Sequence, residues 1–325
     1  MRVLVTGATG FVGSHLAEEL LRQRHDVRLL VREPQKLKWF DQQSFDIVQG
    51  DITNDESITA AVQGVDAVVH CAGVTKTARP EEFFQVNDAA TRSLAAKCER
   101  AEVQRFVHCS TQAVCGPSGS EHRTTESEQE LPITNYGKSK LAGEIAVREE
   151  CKRVEWVILR PPSVMGPRDE QFLPLFKVMS SWNVYTEVGR ATRRYSLIGV
   201  FDLVRALSLA VTTNHGLREA YFVAMPDPVE WSAVAKTFGA VTGKSLRRIV
   251  VPEFVSRLIG LFGDLSMKAS GKPALLNSEK VREILATGWI CNSSKIERAW
   301  DFHCQDSLLD VVRDTLAFYK DQKWI

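Results

Sequence analysis

Short apolar, β-branched runs recur through the first half of the chain, at Val3–Val5, Val27–Val31, Ile47–Val48, Val65–Val69, Phe106–Cys109 and Val157–Leu159. Between them lie longer stretches whose apolar residues return every three or four positions: Phe11–Arg22, Ile58–Val62, Phe83–Ala101 and Tyr136–Cys151. The first pattern predicts strands covered on both faces, the second helices. Their alternation predicts βαβ units and a doubly wound parallel sheet with helices on both sides, an α/β fold.

The pattern changes after Arg160. Pro161 and Pro162 stop the last of these strands, and Pro167 and Pro174 follow soon after. Residues 162–196 read as loop and helix, Phe201–Val211 as another helix and Ala220–Val223 as another strand. From Met225 onward the patterning is mostly helical, with turns at Gly243-Lys244 and Gly271-Lys272-Pro273. The predicted organisation is a sheet domain over 1–161, to which 197–224 returns. A smaller, mixed and mainly helical C-terminal substrate lobe takes 162–196 and 225–325.

Composition adds little against this. The 325 residues are 44% hydrophobic and 25% charged, as in ordinary soluble proteins, and can bury a large core. A net charge of +1 gives no bulk reason to expect nucleic acid or an anionic membrane as partner. Arg190, Arg193 and Arg194 form a local basic cluster, read as a solvated loop slightly ahead of a substrate-phosphate site. Seven cysteines, an odd number without metal or redox spacing, read as free thiols in a reducing compartment. Met1–Val5 runs straight into a glycine turn rather than a signal peptide, and no run of about 18 apolar residues suggests a transmembrane helix. The expected location is therefore cytoplasmic. Phe254–Leu265 is apolar but interrupted by Ser256, Arg257 and Asp264. It reads as an amphipathic helix that packs as core or substrate lid, with membrane-surface contact as the second reading.

The candidate chemistry begins at the first strand. Gly7-Ala8-Thr9-Gly10-Phe11-Val12-Gly13 follows Val3–Thr6 at once and opens a helix. Glycines at this spacing serve a tight turn (Gly7), backbone approach to a pyrophosphate (Gly10) and close helix–strand packing (Gly13). The helix N-terminus then offers free N–H donors to phosphate. The 1–161 unit is accordingly expected to bind a dinucleotide. At the end of the second strand, where an acidic residue would hold the ribose of NAD, stand Val31 and then Arg32. A cation there suits a 2′-phosphate, so NADP is expected ahead of NAD, although Glu33 could serve a ribose. Asp51, followed by Ile52, could accept from the adenine or cap a turn. Ala72 and Gly73 are small enough to run beside the cofactor.

Tyr136 and Lys140 stand four apart at the start of a helix and share one face. A phenol, with a pKa of about 10, is a poor base at neutral pH, and a nearby ammonium should lower that value. Read alone, the pair is more simply a polar helix surface. Ser110 and Thr111 change the weighing: they end a buried strand, where ligand-contacting residues collect in an open α/β sheet. Thr111, with Ser110 as fallback, is expected to hold a substrate oxygen while Tyr136 transfers a proton.

Together these segments resemble the extended short-chain dehydrogenase/reductase family, also called NAD-dependent epimerase/dehydratases. The matching residues are Thr6–Gly13, Ser110–Gly116 and Tyr136–Lys140, with Asn87, Arg160-Pro161, Gly166-Pro167 and Phe201-Asp202 in the same order. The resemblance covers roughly the first two-thirds of the chain. It implies a Rossmann-type sheet, a catalytic group of Thr111, Tyr136 and Lys140, and a cofactor site at Gly7, Gly10, Gly13, Arg32, Asp51 and Lys140. Pro161 would lie near the nicotinamide, and Phe83–Ala101 and Tyr136–Cys151 could pair between subunits of a homodimer or equally pack on their own sheet.

Departures narrow the reaction. Sugar-nucleotide dehydratases of this family carry an acidic pair where Gln112 and Ala113 stand, and epimerases an acidic residue where Val31 stands and often a tyrosine where Cys115 stands. Leu30–Leu37 looks more like the dihydroflavonol reductase and 3β-hydroxysteroid dehydrogenase-like branch. The leading expectation is an NAD(P)-dependent oxidoreductase that interconverts a secondary alcohol and a ketone on a small-molecule substrate. An epimerase that retains its cofactor comes second. A non-catalytic NADP sensor or scaffold comes third, disfavoured because both Tyr136 and Lys140 are present.

Overall fold

The computed structural model describes all 325 residues. Seven parallel strands form the central sheet: β1 (Arg2–Thr6), β2 (Asp26–Val31), β3 (Asp46–Gln49), β4 (Ala67–His70), β5 (Arg105–Cys109), β6 (Glu155–Arg160) and β11 (Glu219–Phe222). Their order is β11-β6-β5-β4-β1-β2-β3. The order reverses between β1 and β4, which places a crevice at the carboxyl ends of those two strands. Strand β1 lies inside the sheet, in register with β2 from Arg2 opposite Asp26 and with β4 from Val3 opposite Ala67.

Helices α1 (Phe11–Arg22) and α7 (Val200–Thr212) pack together on one face. On the other lie α2 (Asp55–Val62), α4 (Ala90–Arg100) and α5 (Asn135–Glu150). Two apolar clusters result, one around Val3, Val5, Leu16, Leu20 and Leu207, the other around Leu4, Ile58, Leu94 and Phe106. Alternate residues of β1 feed opposite clusters, as a strand covered on both sides requires.

The expected helix Phe83–Ala101 is in fact three pieces. A short α3 (Pro80–Phe84) and α4 are joined by a π-helical turn over Gln85–Ala89. The turn carries Asn87 inward, where its side chain bonds both backbone groups of Val74. Such π turns often mark functional positions.

The C-terminal part holds α6 (Leu173–Trp182), α8 (Trp231–Thr242), α9 (Glu253–Ser270), α10 (Ser278–Leu285), α11 (Ser294–Trp300) and α12 (Leu308–Asp321). It also holds short strands the sequence pattern did not predict. β7 (Ser163–Met165) pairs with β10 (Leu197–Gly199), and β8 (Val184–Val188) with β13 (Arg247–Val251). β9 (Arg194–Tyr195) pairs with both β12 (Val229–Glu230) and β14 (Gly288–Trp289). These strands are two to five residues long and their partners lie far away in the chain, so no local periodicity announces them. No helix is long and apolar enough to cross a membrane.

Candidate active site

The glycine turn joins β1 to α1 at the reversal point. Gly7 has φ +80°, and a side chain there would begin 2.7 Å from the backbone of Cys71 and Ala72. A Cβ on Gly13 would collide with the carbonyl of Gly7. Gly10 caps α1 without a side-chain acceptor, Thr9 and Gly10 are exposed, and the first turn of α1 carries no acid. The first N–H groups of α1, at Phe11, Val12 and Gly13, therefore face an open cradle with nothing to neutralise them. That is the chemistry a pyrophosphate needs, and the residues fit a dinucleotide.

The other expected cofactor residues line the same edge of the sheet. Ala72 and Gly73 follow β4; a Cβ on Gly73 would stand 3.0 Å from the Asn87 amide oxygen. Arg32 follows β2 and is exposed, with Nη1 3.7 Å from Asp51 Oδ2. Asp51 and Ile52 follow β3, and Asp51 Oδ1 accepts from both the N–H and the hydroxyl of Thr53, each at 2.8 Å. Asp51 thus caps its turn while presenting its other oxygen to Arg32. Pro161 follows β6, and its carbonyl accepts from the N–H of Gln112, tying it to the Thr111 turn.

Thr111, Tyr136 and Lys140 come together at the ends of β5 and α5. Thr134 caps α5 by accepting from the N–H of Gly137, which fixes the first turn of the helix and with it the place of Tyr136. Lys140 is 4% exposed, and its ammonium donates to the carbonyl of Cys109 at 2.9 Å and to His108 Nε2 at 3.3 Å. Burial lowers its pKa, offset in part by the Cys109, Glu144 and Cys71 side chains. The phenol of Tyr136 departs from expectation: burial pushes its pKa up, the Cys109 thiol adds to this, and the Thr111 hydroxyl works the other way. The hydrogen bonds of the lysine ammonium go to Cys109 and His108 rather than to the phenol.

Ser110 does not compete for the substrate position. Its hydroxyl donates to Glu144 Oε1 at 2.6 Å. Glu144 and Arg160 are both wholly buried and paired, Arg160 Nη2 lying 2.7 Å from Glu144 Oε2 and 2.7 Å from Glu130 Oε1. The sequence reading missed this network, although a charge closing the apolar run of β6 is a visible signal for it.

A second polar chain runs beneath the lysine. Thr6 Oγ1 lies 2.7 Å from His70 Nδ1, His70 Nε2 lies 2.9 Å from Thr91 Oγ1, and the Thr91 hydroxyl donates to the Asn87 carbonyl. Thr91 has one proton and gives it to Asn87, so His70 must donate from Nε2 and accept at Nδ1. This is the neutral ring, consistent with burial lowering its pKa to about 3. Asn87 also donates to the Ser139 hydroxyl at 3.0 Å, linking the loop after β4 to α5.

All seven cysteines are free; Cys71 follows β4 and Cys109 ends the neighbouring β5, both beside Lys140. A separate cleft of about 370 Å3 lies beyond the Thr111 turn, lined by Cys115, His122, Glu128 and Leu131 among others. None of Thr111, Tyr136 or Lys140 lines it.

Comparison with known proteins agrees with this fold. The model of the NAD dependent epimerase/dehydratase family matches residues 3–224. A ceramide reductase of Caulobacter vibrioides is 30% identical over 325 residues, covering 99% of this chain and 96% of that protein. A 3 beta-hydroxysteroid dehydrogenase/Delta 5-->4-isomerase of Mycobacterium tuberculosis is 30% identical over 255 residues, 72% of this chain and 68% of that one. Among solved structures, UDP-glucuronic acid 4-epimerase of Bacillus cereus, in complex with UDP-glucuronic acid and NAD, superposes with TM-score 0.80. It is 23% identical and covers 99% of this chain and 100% of that one, a likeness of fold.

Proposed function

The chain belongs to the NAD dependent epimerase/dehydratase family and is an NAD(P)-dependent oxidoreductase, and we propose that it interconverts a secondary alcohol and a ketone on a lipophilic substrate, with NADP as cofactor. The observation that carries the reaction is the meeting of Thr111, Tyr136 and Lys140 beside the glycine cradle, with neutral Gln112 and Ala113 next to the threonine. Dehydration and similar eliminations need an acid and a base at the substrate, and those two positions supply neither.

When bound, the nicotinamide supplies or removes the hydride at the reacting carbon. In the reductive direction Tyr136 gives its phenolic proton to the ketone oxygen. A phenol held above its usual pKa by burial stays protonated, as a proton donor must. Thr111 orients the same oxygen through its hydroxyl. Lys140, a buried cation fixed by the Cys109 carbonyl, would hold the ribose and stabilise the phenolate left behind. Gly7, Thr9, Gly10, Phe11, Val12 and Gly13 would carry the pyrophosphate, with Ala72, Gly73, Pro161 and Ile52 along the rest of the cofactor. Asp51 and Arg32 would close on the adenosine end.

The substrate class is supported by two relatives whose names refer to lipids, a ceramide and a 3β-hydroxysteroid. The test is Tyr136→Phe, assayed with NADPH and a panel of ketosteroids and long-chain ketones that the parent turns over. Turnover should fall by roughly 10²–10⁴-fold, the usual worth of a positioned acid, while NADPH binding by nicotinamide fluorescence stays as in the parent. A variant that keeps most of its activity would remove Tyr136 from the mechanism.

A further inference from the structure

Helix α9 buries its small residues and exposes its large apolar ones. Ser256 and Gly260 are its buried positions. A Cβ on Gly260 would lie 3.0 Å from Val281 and 3.2 Å from Ser278, and one on Gly263 would collide with the Leu276 carbonyl. The helix therefore lies close against α10 along this narrow seam. Phe254, Leu258, Leu261, Phe262 and Leu265 recur at helical spacing on the opposite side, and Phe254, Phe262 and Leu265 are 65%, 70% and 60% exposed. Leu275 just beyond, and Ile249 and Val250 on the preceding β13, are exposed as well. An exposed apolar stripe of this kind marks an interaction site.

The charges around it choose the partner. Arg257 and Lys268 flank the stripe on α9, Lys272 follows in the next turn, and Arg247 precedes it on β13; all four are exposed and none is ion-paired. The acids of α9 are engaged elsewhere: Glu253 binds Arg193 at 2.9 Å, and Asp264 accepts from the backbone and hydroxyl of Ser278. An apolar stripe bordered by unpaired cations, on a helix too polar to span a bilayer, suits an anionic lipid surface with the helix lying flat in it. A second copy fits less well. A twofold interface on the stripe would bring the same unpaired cations of both copies together.

We propose that α9 and the edge of β13 dock this protein on anionic phospholipid bilayers. The surface is joined to the catalytic helix. From α10, Glu279 accepts from the N–H of Asn135 at 3.1 Å and Arg282 donates to the carbonyl of Ile133 at 3.2 Å, on either side of the α5 N-terminus. Docking therefore brings the mouth of the site next to the phase where a lipophilic substrate dissolves. The docking itself does not require that substrate assignment.

The full chain should float with vesicles of phosphatidylcholine and phosphatidylglycerol mixed equally, much less with phosphatidylcholine alone, and less again as salt rises. The triple variant F254S/L258S/F262S should lose roughly tenfold or more in vesicle partition, since each residue removes apolar area from the buried face. Arg257→Glu with Lys268→Glu should weaken flotation without touching the stripe. Leu309→Ser, which changes an exposed leucine on α12, should float like the parent, and an unchanged thermal midpoint shows that the triple variant is folded. The proposal fails if the parent stays unbound with both vesicle types. It also fails if light scattering shows a dimer that the triple variant dissociates while neither protein binds vesicles. Vesicle binding needs no turnover, so either failure leaves the oxidoreductase reading standing.

Discussion

Arg32 is the residue on which the proposed NADP preference turns. It stands exposed after β2, 3.7 Å from Asp51, and the position before it is the buried Val31 rather than an acid. An exposed ion pair of this length is worth little, so the guanidinium can leave Asp51 for a ribose phosphate at small cost. Arg32→Ala should therefore weaken NADPH binding by tenfold or so while sparing NADH, the scale of one charge-assisted contact. Fluorescence titration with both cofactors checks it, and equal loss for the two would leave the NADP preference without its residue. Gly13 offers a cleaner steric test. A methyl group there meets the Gly7 carbonyl, which is backbone and cannot swing away. Gly13→Ala should cost about 1–3 kcal/mol of stability by overpacking and should abolish dinucleotide binding. Calorimetry and the same titration report the two effects separately.

At the scale of elements, the site depends on how β5, β6 and α5 are locked together. Ser110 follows β5, Glu144 lies on α5 and Arg160 ends β6, and all three are bonded out of contact with water. The pair holds α5 against the strand that leads to Pro161. Arg160→Met would leave the Glu144 charge buried with only Ser110 and Arg148 for partners. Removing one member of such a pair costs about 3–5 kcal/mol, and replacing Glu144 as well should recover part of it. Urea denaturation of the two single variants and the double variant measures this. Additive losses would mean that the two side chains act independently. The π turn at Asn87 belongs to the same scale: its extra residue lets one side chain reach both the loop after β4 and Ser139 on α5.

Across the whole molecule, His15 shows how the sheet and the C-terminal region are joined. It lies on α1, contacts the rings of Phe11 and Phe201 edge-on, and donates from Nε2 to the carbonyl of Pro167 at 2.9 Å. Burial is the main cause that holds its pKa down at about 4. A histidine depressed in the fold contributes stability that is fully present above its unfolded value, near 6.5, and is lost as pH falls through about 4. The loss amounts to about 3 kcal/mol at most over that window. His15→Gln keeps a donor for Pro167 and cannot titrate, so its stability should fall less steeply between those two pH values. Chemical denaturation of both proteins across the range checks this, and parallel curves would assign the acid sensitivity to other groups, His70 first among them.

The alternation of apolar runs with helical periods determined the parallel sheet, because a strand buried on both faces has few polar positions whatever its neighbours are. The glycine spacing determined the turn at Gly7–Gly13, because only residues without a Cβ can pass so close to Cys71, Ala72 and the Gly7 carbonyl. The four-residue spacing placed Tyr136 and Lys140 on one helix face. Tertiary structure decided what those groups experience. Whether Lys140 acts on the phenol or on Cys109 and His108, and whether Ser110 is free or bound to Glu144, depends on elements dozens of residues apart. The short strands β7 to β10 and β12 to β14 were likewise beyond local pattern, since each exists only through its distant partner. The orientation of α9 was also undecided by sequence. An amphipathic period says that a helix has two faces, and only the glycine seam against α10 shows that the apolar one is turned to the outside.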